Sequence, residues 1–354
     1  MVAMSNPTSH AKTITRDDVA RMAGVSSAVV SYVVNGGPRA VSAANEARVR
    51  QAIKALGYRP NAAARALALG SSEMLAMIIP DAMNPFFASL SRAVENAAAE
   101  RGYTLLLADS QASLRTERRL IKNFAARRVD GLFLWSELSD PDLADLEQAD
   151  IPVVLLNHST DLATAGSPAI LKHGAGDPGA NSVGVAFRDG ARMAVEHLIG
   201  HGHERIGLVM GTNPGGDVDA REIGWSQAIQ DAGLTAGPVI RAPFTREGGY
   251  RAGQELLARL ERPTAVFVSS DQQAVALLCA LQEGGLRIPE DVAVFSFDGS
   301  PESEYSWPRL STVAQPVGDL AHAALEALLA PSGKEPQANI FPAELILRTS
   351  CGCH

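Results

Sequence analysis

The stretch TRDDVARMAGVSSAVVSYVVN, residues 15–35, decides the fold of the amino-terminal part of the chain. Thr15 and Asp18 have the spacing of a helix-capping box, which predicts the start of a helix. Gly24 is typical of a helix end, because glycine tolerates the positive φ found there. Ser26 can cap a second helix, whose valines form an apolar stripe. Two short helices joined by a tight turn predict a helix-turn-helix, in which the second helix can enter the major groove of DNA.

A third helix and a local excess of positive charge extend this pattern. The third helix is predicted to run from a Ser42 cap to Gly57. Residues 1–70 contain nine basic and three acidic side chains and therefore carry a charge of +6, whereas the whole chain carries −8. The negative total disfavours a general nucleic-acid binder. A basic segment on an acidic body is instead typical of a DNA-binding head on a larger carrier.

The predicted second helix exposes small and hydroxyl-bearing side chains, namely Ser27, Ala28, Ser31 and Tyr32. Such side chains allow a helix to approach DNA closely and to hydrogen-bond with it. A three-helix protein-interaction domain would explain the caps equally well, but it would not explain the positive charge. The segment RPNAAARAL, residues 59–67, then predicts a short helix that would be marginal alone in water.

Four motifs in this region together resemble the signature of the lactose-repressor/galactose-repressor family of bacterial transcription regulators. They are TxxDVAxxAGVS at residues 15–26, VSxVVN at 30–35, VS at 41–42 and GYxPNxxARxL at 57–67. The resemblance implies a sequence-specific regulator that binds a pseudo-palindromic operator as a homodimer. It also implies a hinge helix that folds on DNA as one of a pair, which agrees with the weak helix predicted at 59–67.

The resemblance implies a role in DNA binding for individual positions. Base-reading side chains are expected at Ser27, Ala28 and Tyr32. Phosphate contacts are expected at Thr15, Ser26, Ser31, Asn35 and Ser42. Hinge residues in the minor groove are expected at Asn61, Ala64 and Leu67, and Leu67 is the wedge that kinks the duplex. Because phosphate contacts carry no sequence information, operator preference should depend mainly on the base-reading side chains.

From residue 73 onward, apolar runs typical of buried strands alternate with helical patterns, as at 75–79 and then 86–101. Repeated βαβ units predict two parallel sheets flanked by helices. The resemblance implies the same architecture, a two-lobed periplasmic-binding-protein-like domain with its ligand in the cleft between the lobes. The expected fold class is therefore a small all-α helix-turn-helix head joined to an α/β two-lobed body.

These patterns divide the chain into five segments. They are a flexible arm at 1–12, the helix-turn-helix domain at 13–58, a hinge helix and linker at 59–71, a two-lobed effector-binding and dimerisation domain at 72–349, and a tail at 350–354. The stretch 159–182 is long and rich in glycine, alanine and proline. It is predicted to be either a lid over the cleft or an insertion without that role.

Ligands of parallel sheets bind beyond the carboxyl ends of the strands, so residues at these ends are the candidates for effector binding. They are Asp81, Phe87, His158, Arg221, Phe244, Ser270 and Asp298. The resemblance implies that Phe87 stacks on the effector, that Arg221 grips it and that Asp298 accepts hydrogen bonds from it. An arginine and an aspartate in one cleft suit a polyhydroxylated or nucleoside-like ligand.

Each of these three assignments has a structural alternative. Phe87 could be a core residue, Arg221 could form a surface ion pair, and Asp298 could be a turn residue. The chain also departs from the family at the start of the second lobe, where Ala186 and Phe187 replace a common Asp-Asn pair. The effector of a relative is therefore not transferred to this chain.

Motifs of other functional classes are missing from the sequence. There is no GxSxG, P-loop or GxGxxG after a strand, so neither an enzyme nor a cofactor is expected. Apolar runs such as 74–80 are too short to span a membrane, and no export signal is recognised, which predicts a cytoplasmic protein. The histidines of EHLIGHGH (196–203) and the cysteines of the CGCH tail are each poor metal sites, so no metal is expected.

The expected function is repression of transcription that a carbohydrate-type inducer relieves, because this is the commoner arrangement in the family. A purine- or nucleoside-type corepressor is the alternative. A solute-binding protein without a regulatory role would share the two-lobed body, but it would need an export signal and no DNA-binding head.

Overall fold

Three short helices form the head in the computed structural model, which describes residues 14–35, 40–59, 66, 70–136, 141–156, 181–212, 218–331 and 337–353. They are α1 (Arg16–Ala23), α2 (Ser27–Asn35) and α3 (Ala43–Leu56). One valine from each helix is fully buried, and these three side chains centre the core of the head: Val19, Val30 and Val49. The chain forms two compact units, Met1–Ser72 and Glu73–His354.

The predicted helix ends of the head are confirmed. Thr15 Oγ1 accepts a hydrogen bond from Asp18 N at 3.4 Å, and Asp18 Oδ2 accepts one from Thr15 N at 3.0 Å, which completes the capping box. Ser42 caps α3. Gly24 and Gly57 end α1 and α3 with φ values of 64° and 63°, in the left-handed region that glycine adopts at little cost.

The second unit contains two sheets flanked by helices, as predicted. The first lobe begins with β1 (Met74–Ile79), α4 (Pro85–Glu100), β2 (Thr104–Asp109), α5 (Leu114–Arg127), β3 (Gly131–Leu134), α6 (Ala144–Gln148), β4 (Val153–Leu155) and β5 (Asn181–Val185). The second lobe contains α7 (Phe187–Gly200), β6 (Ile206–Met210), α8 (Ala220–Asp231), β7 (Val239–Arg241), α9 (Arg246–Ala258), β8 (Ala265–Val268), α10 (Asp271–Glu283), β9 (Ala293–Asp298), α11 (Glu302–Tyr305) and β10 (Ser311–Ala314). The last elements are α12 (Val317–Leu328), β11 (Ala338–Phe341), β12 (Glu344–Ile346) and a 3₁₀ turn (Thr349–Cys351). Within the described ranges, no helix is both long and apolar enough to cross a bilayer.

The chain crosses between the lobes three times, after β5, after β10 and after β11. The first sheet has the strand order β11-β5-β4-β3-β1-β2 and is parallel throughout. The second has the order β12-β10-β9-β8-β6-β7 and is not parallel throughout as predicted, because β12 runs antiparallel to β10. Helix α12 packs against α4 of the first lobe. The carboxyl-terminal part of the chain therefore completes both sheets.

Sequence patterns located most of the central strands, but they missed the interior strands β5 and β10 and three of the four edge strands. Strands β7, β11 and β12 are three or four residues long and only partly buried, so they lack a continuous apolar run. Asn181 and Ser182 begin β5, although they were predicted to belong to the long segment 159–182. The rest of that segment lies outside the described residues.

Helices α9 and α10 approach each other backbone to backbone. A Cβ atom on Gly249 would lie 2.0 Å from the carbonyl oxygen of Gln273, far inside the contact distance of real side chains. A Cβ on Gly224 would likewise lie 2.1 Å from the carbonyl oxygen of Arg188, between α8 and α7. Glycine at these two positions therefore sets how closely the helices of the second lobe pack.

The two lobes contact each other beyond the carboxyl ends of their strands. Gln272 Nε2, at the start of α10, donates to Asp81 Oδ2, just after β1, at 3.3 Å. Arg246 Nη1, at the start of α9, donates to the carbonyl oxygen of Met83 at 3.4 Å. Ligands of parallel α/β sheets bind at such strand ends, so this cleft is the candidate ligand site.

Candidate functional site

Helix α2 carries the expected base-reading side chains, and Val30 is its one buried residue. Val30 is fully buried, whereas Ala28 is exposed and Ser27, Ser31 and Tyr32 are half-buried. Because residues four apart share a helix face, Ser27 lies next to Ser31 and Ala28 next to Tyr32. The helix has no acidic or basic residue, so its accessible surface offers hydroxyl and methyl groups to a base edge. The base-reading roles of these residues stay predictions.

The expected phosphate contacts coincide largely with helix starts. The Ser26 hydroxyl accepts a hydrogen bond from Val29 N at 3.4 Å, and Ser42 caps α3. A hydroxyl that accepts in this way keeps its own proton to donate to a phosphate. Thr15 instead donates its proton to Asp18 Oδ2 at 2.7 Å. Helix starts attract anions through their free N–H groups, so Thr15 can contribute through the backbone.

Four candidate residues fall outside the described part of the chain. They are the hinge residues Asn61, Ala64 and Leu67, and the cleft residue His158. Their assigned roles remain predictions from the sequence.

Arg221 is oriented by a two-point ion pair at the start of α8. Its Nε and Nη2 atoms donate to Asp219 Oδ1 and Oδ2 at 2.9 and 2.7 Å, and its Nη1 donates to the carbonyl oxygen of Ser269 at 2.7 Å. The Arg221 side chain is only 14% exposed, so this is not the surface ion pair considered as an alternative. Burial acts to raise the pKa of Asp219, but the Arg221 charge, the hydrogen bonds from Arg221 and the Arg241 charge together outweigh it and hold the pKa below its ordinary value.

Three phenylalanine rings surround the Arg221 guanidinium. The distances from its Cζ atom to the ring centroids are 5.3 Å for Phe187, 5.0 Å for Phe244 and 5.6 Å for Phe297, which is the range of cation–π contacts. Phe244 lies over Gly211, where a Cβ atom would meet the ring at 1.8 Å. The family departure at Phe187 therefore places an aromatic face beside the candidate effector arginine, a contact that the sequence did not predict.

Asp298 is a buried carboxyl group at the carboxyl end of β9. Its Oδ1 accepts a hydrogen bond from Gln315 Nε2 at 3.0 Å, while its buried Oδ2 has no partner among the described residues. Its φ of 122° and the φ of 71° at Gly299 confirm that the chain turns here. The turn alternative does not explain the unpartnered oxygen, which is suited to a hydrogen bond with a ligand.

A second buried carboxyl group, that of Asp271, lies close to Asp298. It accepts hydrogen bonds from Ser296 Oγ at 2.5 Å, Ser300 N at 2.6 Å and Thr312 Oγ1 at 2.7 Å. Burial raises the pKa of Asp271 to about 6, although these hydrogen bonds favour the ionised form. Burial and the neighbouring Asp271 charge raise the pKa of Asp298 well above its ordinary value, while the Arg221 charge acts in the opposite direction.

The side chains of Asp81 and Ser270 both form hydrogen bonds within the protein, beyond the carboxyl ends of the strands. Asp81 Oδ1 accepts a hydrogen bond from Met83 N at 2.8 Å, and its Oδ2 contacts Gln272 across the cleft. Ser270 caps α10, and its hydroxyl donates to Gln273 Oε1 at 2.9 Å. Ser270 therefore has a structural role, and its predicted contact with an effector is not needed to explain it.

Phe87 is part of an aromatic cluster in the first lobe. Its ring meets those of Phe86 and Trp135 edge to face, with centroid distances of 5.2 and 4.9 Å. Phe87 is buried, which favours the core-packing alternative, whereas Trp135 is half-buried just beyond the end of β3. Trp135 is thus the more accessible aromatic side chain at this strand end, and it was not among the sequence candidates.

Comparison with known proteins decides the family. A model for bacterial regulatory proteins of the lacI family matches residues 15–61, and a model for a periplasmic-binding-protein-like domain matches residues 195–351. The chain is 32% identical to the HTH-type transcriptional repressor PurR of Photobacterium profundum, over 94% of this chain and 97% of that protein. The chain belongs to the lacI family. It is a DNA-binding transcriptional repressor with an effector-binding domain, and it is not an enzyme.

Solved structures agree with this assignment. The lac repressor dimer bound to operator and the anti-inducer ONPF matches the repressor with a TM-score of 0.80 and 26% identity, over 96% of this chain and 99% of that one. The transcriptional regulator CelR in complex with cellobiose matches with a TM-score of 0.67 and 30% identity, over 95% and 99%. The predicted fold class of a helix-turn-helix head and a two-lobed α/β body is confirmed.

Replacing Asp298 with asparagine is expected to raise the free energy of unfolding of the second unit of the repressor, and to raise it more at about pH 8 than at about pH 5. When folding raises the pKa of a carboxyl group, the free energy of unfolding falls as the pH rises from the unfolded-state pKa through the folded-state pKa. Asparagine removes this loss, while its amide oxygen can still accept from Gln315. Urea unfolding followed by tryptophan fluorescence, at about pH 5 and about pH 8, measures the effect. A gain that is equal at both pH values would contradict the assignment of the raised pKa.

Proposed function

We propose that the repressor binds a pseudo-palindromic operator as a homodimer and releases it when a carbohydrate-type inducer enters the cleft between its lobes. The observation that carries the effector assignment is the Arg221–Asp298 pair, in which a fixed guanidinium lies near a buried carboxyl group with an unpartnered oxygen. This arrangement supports a ligand with several hydroxyl groups, because a hydroxyl can both accept from arginine and donate to a carboxylate.

The three phenylalanine rings around Arg221 support a ligand with an apolar face as well. A sugar ring presents such a face through its C–H groups, and a purine presents one through its π system. The regulator CelR, whose structure contains cellobiose, supports the carbohydrate assignment by its likeness to this chain. Phe187, Phe244 and Phe297 and the PurR relatives favour the alternative, a purine- or nucleoside-type corepressor.

The lobe contacts suggest how a ligand would act on DNA binding. Gln272 and Arg246 of the second lobe bond directly to Asp81 and to the carbonyl oxygen of Met83 of the first. A ligand between the lobes competes with these bonds or adds to them, and so changes the angle between the lobes. In a dimer, that change alters the pairing of the two hinge segments, and operator DNA must in turn change the affinity for ligand by the same factor. The protein acts in the cytoplasm, and on the nucleoid when it is bound to an operator.

Thermal unfolding in the presence of candidate ligands tests the effector class. The panel contains sugars, sugar phosphates, nucleosides and purines, and the protein is the full chain or its Asp298→Asn variant. A saturable rise in melting temperature with a sugar, absent in the variant, is the expected result. A rise with purines alone would establish the alternative, and an equal rise in both proteins would place the ligand away from Asp298.

The sign of regulation is tested separately, with a fluorescently labelled operator selected from random DNA. The ligand found by thermal unfolding is expected to lower the anisotropy of the protein–operator complex, as an inducer does. A ligand that strengthens the complex would be a corepressor, which would contradict the inducer assignment but not the repressor function.

Replacing Tyr32 with alanine is expected to change which operator is preferred, by about tenfold in relative affinity at one base pair, since a base contact is worth about 1–3 kcal/mol. Ser31→Ala is the matched control on the same helix. It should weaken binding to all sequences equally, because a phosphate contact carries no sequence information. Selection from a randomised operator library measures both variants, and an unchanged preference in Tyr32→Ala would remove Tyr32 from the base-reading set.

A further inference from the structure

Two histidines at the end of α7 and two cysteines of the carboxyl-terminal tail lie side by side in the second lobe. His197 and His201 are one helical turn apart, with ring centroids 4.5 Å from each other. The Nε2 atom of His197 lies 3.4 Å from the Sγ atoms of both Cys351 and Cys353. The Nε2 atom of His201 lies 3.7 Å from the Sγ atom of Cys353. The ligand atoms of His197, Cys351 and Cys353 thus lie together, and His201 adjoins this group through Cys353.

These separations match the ligand atoms of a tetrahedral zinc ion. Zinc binds thiolate sulfur at about 2.3 Å and imidazole nitrogen at about 2.0–2.1 Å, so tetrahedral angles separate a sulfur from a nitrogen ligand by about 3.6 Å. The ligand atoms of His197, Cys351 and Cys353 all lie within 4.8 Å of one another. Histidines four residues apart share one helix face, which allows both to reach the same ion.

We propose that His197, His201, Cys351 and Cys353 form a binding site for one zinc ion. Two imidazoles and two thiolates complete the tetrahedral coordination that zinc prefers and leave no position open for water or substrate. Closed sites of this composition are structural. The ion therefore fastens the end of the chain to the end of α7, at the opposite end of that helix from Phe187 and the ligand cleft.

The Cys351 thiol contacts Ser311 Oγ at 3.1 Å and the carbonyl oxygen of Arg348 at 3.4 Å, and further contacts hold the tail without the thiols. Ser350 Oγ donates to the carbonyl oxygen of Val294 at 2.6 Å and accepts from Ser311 N at 2.8 Å. Gly352 has a φ of 96°, and a Cβ atom there would lie 3.3 Å from Nδ1 of His201. The hydrogen bonds of the buried Ser350 hold the tail in the domain. The positive φ of Gly352 then turns the chain, so that Cys353 lies beside His197 and His201. Such prior positioning reduces the entropy lost when a metal is bound.

Neither half of this site predicts a metal by itself, which is why the sequence led to the expectation of none. The two halves are about 150 residues apart in the chain, and each supplies only two of the four ligands. The tail was also predicted to be separate from the domain, whereas Ser350 and Cys351 are buried within it. His203, the third histidine of the same segment, contacts Thr264 Oγ1 through Nδ1 at 3.0 Å and is not part of the cluster.

Zinc content of the reduced full-length protein tests the proposal. The protein is loaded with zinc chloride in the presence of a phosphine reductant, desalted and assayed for metal. One zinc per chain is expected in the wild type and in the control Cys279→Ser, which removes the exposed cysteine outside the cluster. Cys353→Ser is expected to retain at least about tenfold less zinc, since it removes one of the four ligands. Equal zinc content in the wild type and Cys353→Ser would overturn the proposal.

Cobalt substitution identifies the ligands directly. Cobalt in the wild-type protein is expected to show intense visible bands of tetrahedral geometry and a thiolate charge-transfer band that Cys353→Ser weakens. His201→Ala, at an exposed position, should change the visible bands and keep the charge-transfer band, and it serves as the second variant if Cys353→Ser does not fold. A cobalt spectrum without the thiolate band would show that the cluster contains only hydrogen-bonded or oxidised cysteines, and would overturn the proposal.

Discussion

Replacing Gly249 with alanine is expected to lower the free energy of unfolding of the second unit by about 3 kcal/mol. The new methyl group would lie 2.0 Å from the carbonyl oxygen of Gln273, and backbone atoms cannot rotate away as a side chain can. Helices α9 and α10 must therefore move apart, which opens their shared contact with the second sheet. Urea unfolding followed by tryptophan fluorescence reports on this unit alone, because the three tryptophans all lie within it: Trp135, Trp225 and Trp307.

Gly318→Ala is the matched control for this substitution. Gly318 lies in α12, and a Cβ atom there would meet no described atom within 4 Å. Alanine is the better helix former by about 0.5–1 kcal/mol, so this variant should be as stable as the wild type or slightly more stable. Similar losses in the two variants would show that the close approach at Gly249 does not determine stability.

Replacing Asp271 with alanine is expected to cost about 3 kcal/mol of stability, the second large effect. The carboxylate accepts hydrogen bonds from Ser296, Ser300 and Thr312, and each buried donor left without a partner costs about 1–3 kcal/mol. Removal of a buried charge beside Asp298 offsets part of that loss. The measurement is again urea unfolding at about pH 8, where the carboxyl group, with its pKa of about 6, is ionised.

Asp271→Asn separates hydrogen bonding from charge at the same position. The amide oxygen can accept from Ser300 N, and the amide nitrogen can donate to the hydroxyls of Ser296 and Thr312, which are able to accept. This variant is therefore expected to lose less than half the stability that Asp271→Ala loses. Equal losses would indicate that the negative charge, and not the hydrogen bonds, stabilises this end of the second sheet.

The head could be predicted from sequence almost residue by residue, because its signals are local. The caps at Thr15 and Ser42 and the helix ends at Gly24 and Gly57 are each decided by side chains within a few positions. Most central strands of the body could also be predicted, since strands buried on both faces are continuous apolar runs. The interior strands β5 and β10 were missed because each begins with two polar residues. The family and the class of function followed from the same local motifs.

The ligand cleft could be predicted only in part, because its contacts are between distant residues. Arg221 and Asp298 were located by their motifs, but the partner Asp219 and the ring of Phe297 become neighbours only in the folded chain. Phe187 was recognised as a departure from the family, and only the fold shows that it faces Arg221. Motif spacing carries no information about such tertiary pairs, and the Cys–His cluster escaped prediction for the same reason.

The three passages of the chain between the lobes have a consequence for biosynthesis. The first lobe takes α12 and β11 from the carboxyl-terminal end of the chain, and the second lobe takes β12 from beyond them. The first sheet can therefore be completed only after β11 has been synthesised and the second only after β12, although domains that are contiguous in sequence can fold as they leave the ribosome. The helical head, whose contacts are local, can fold early, while the body stays exposed to chaperones and proteases until β12 has emerged from the ribosome.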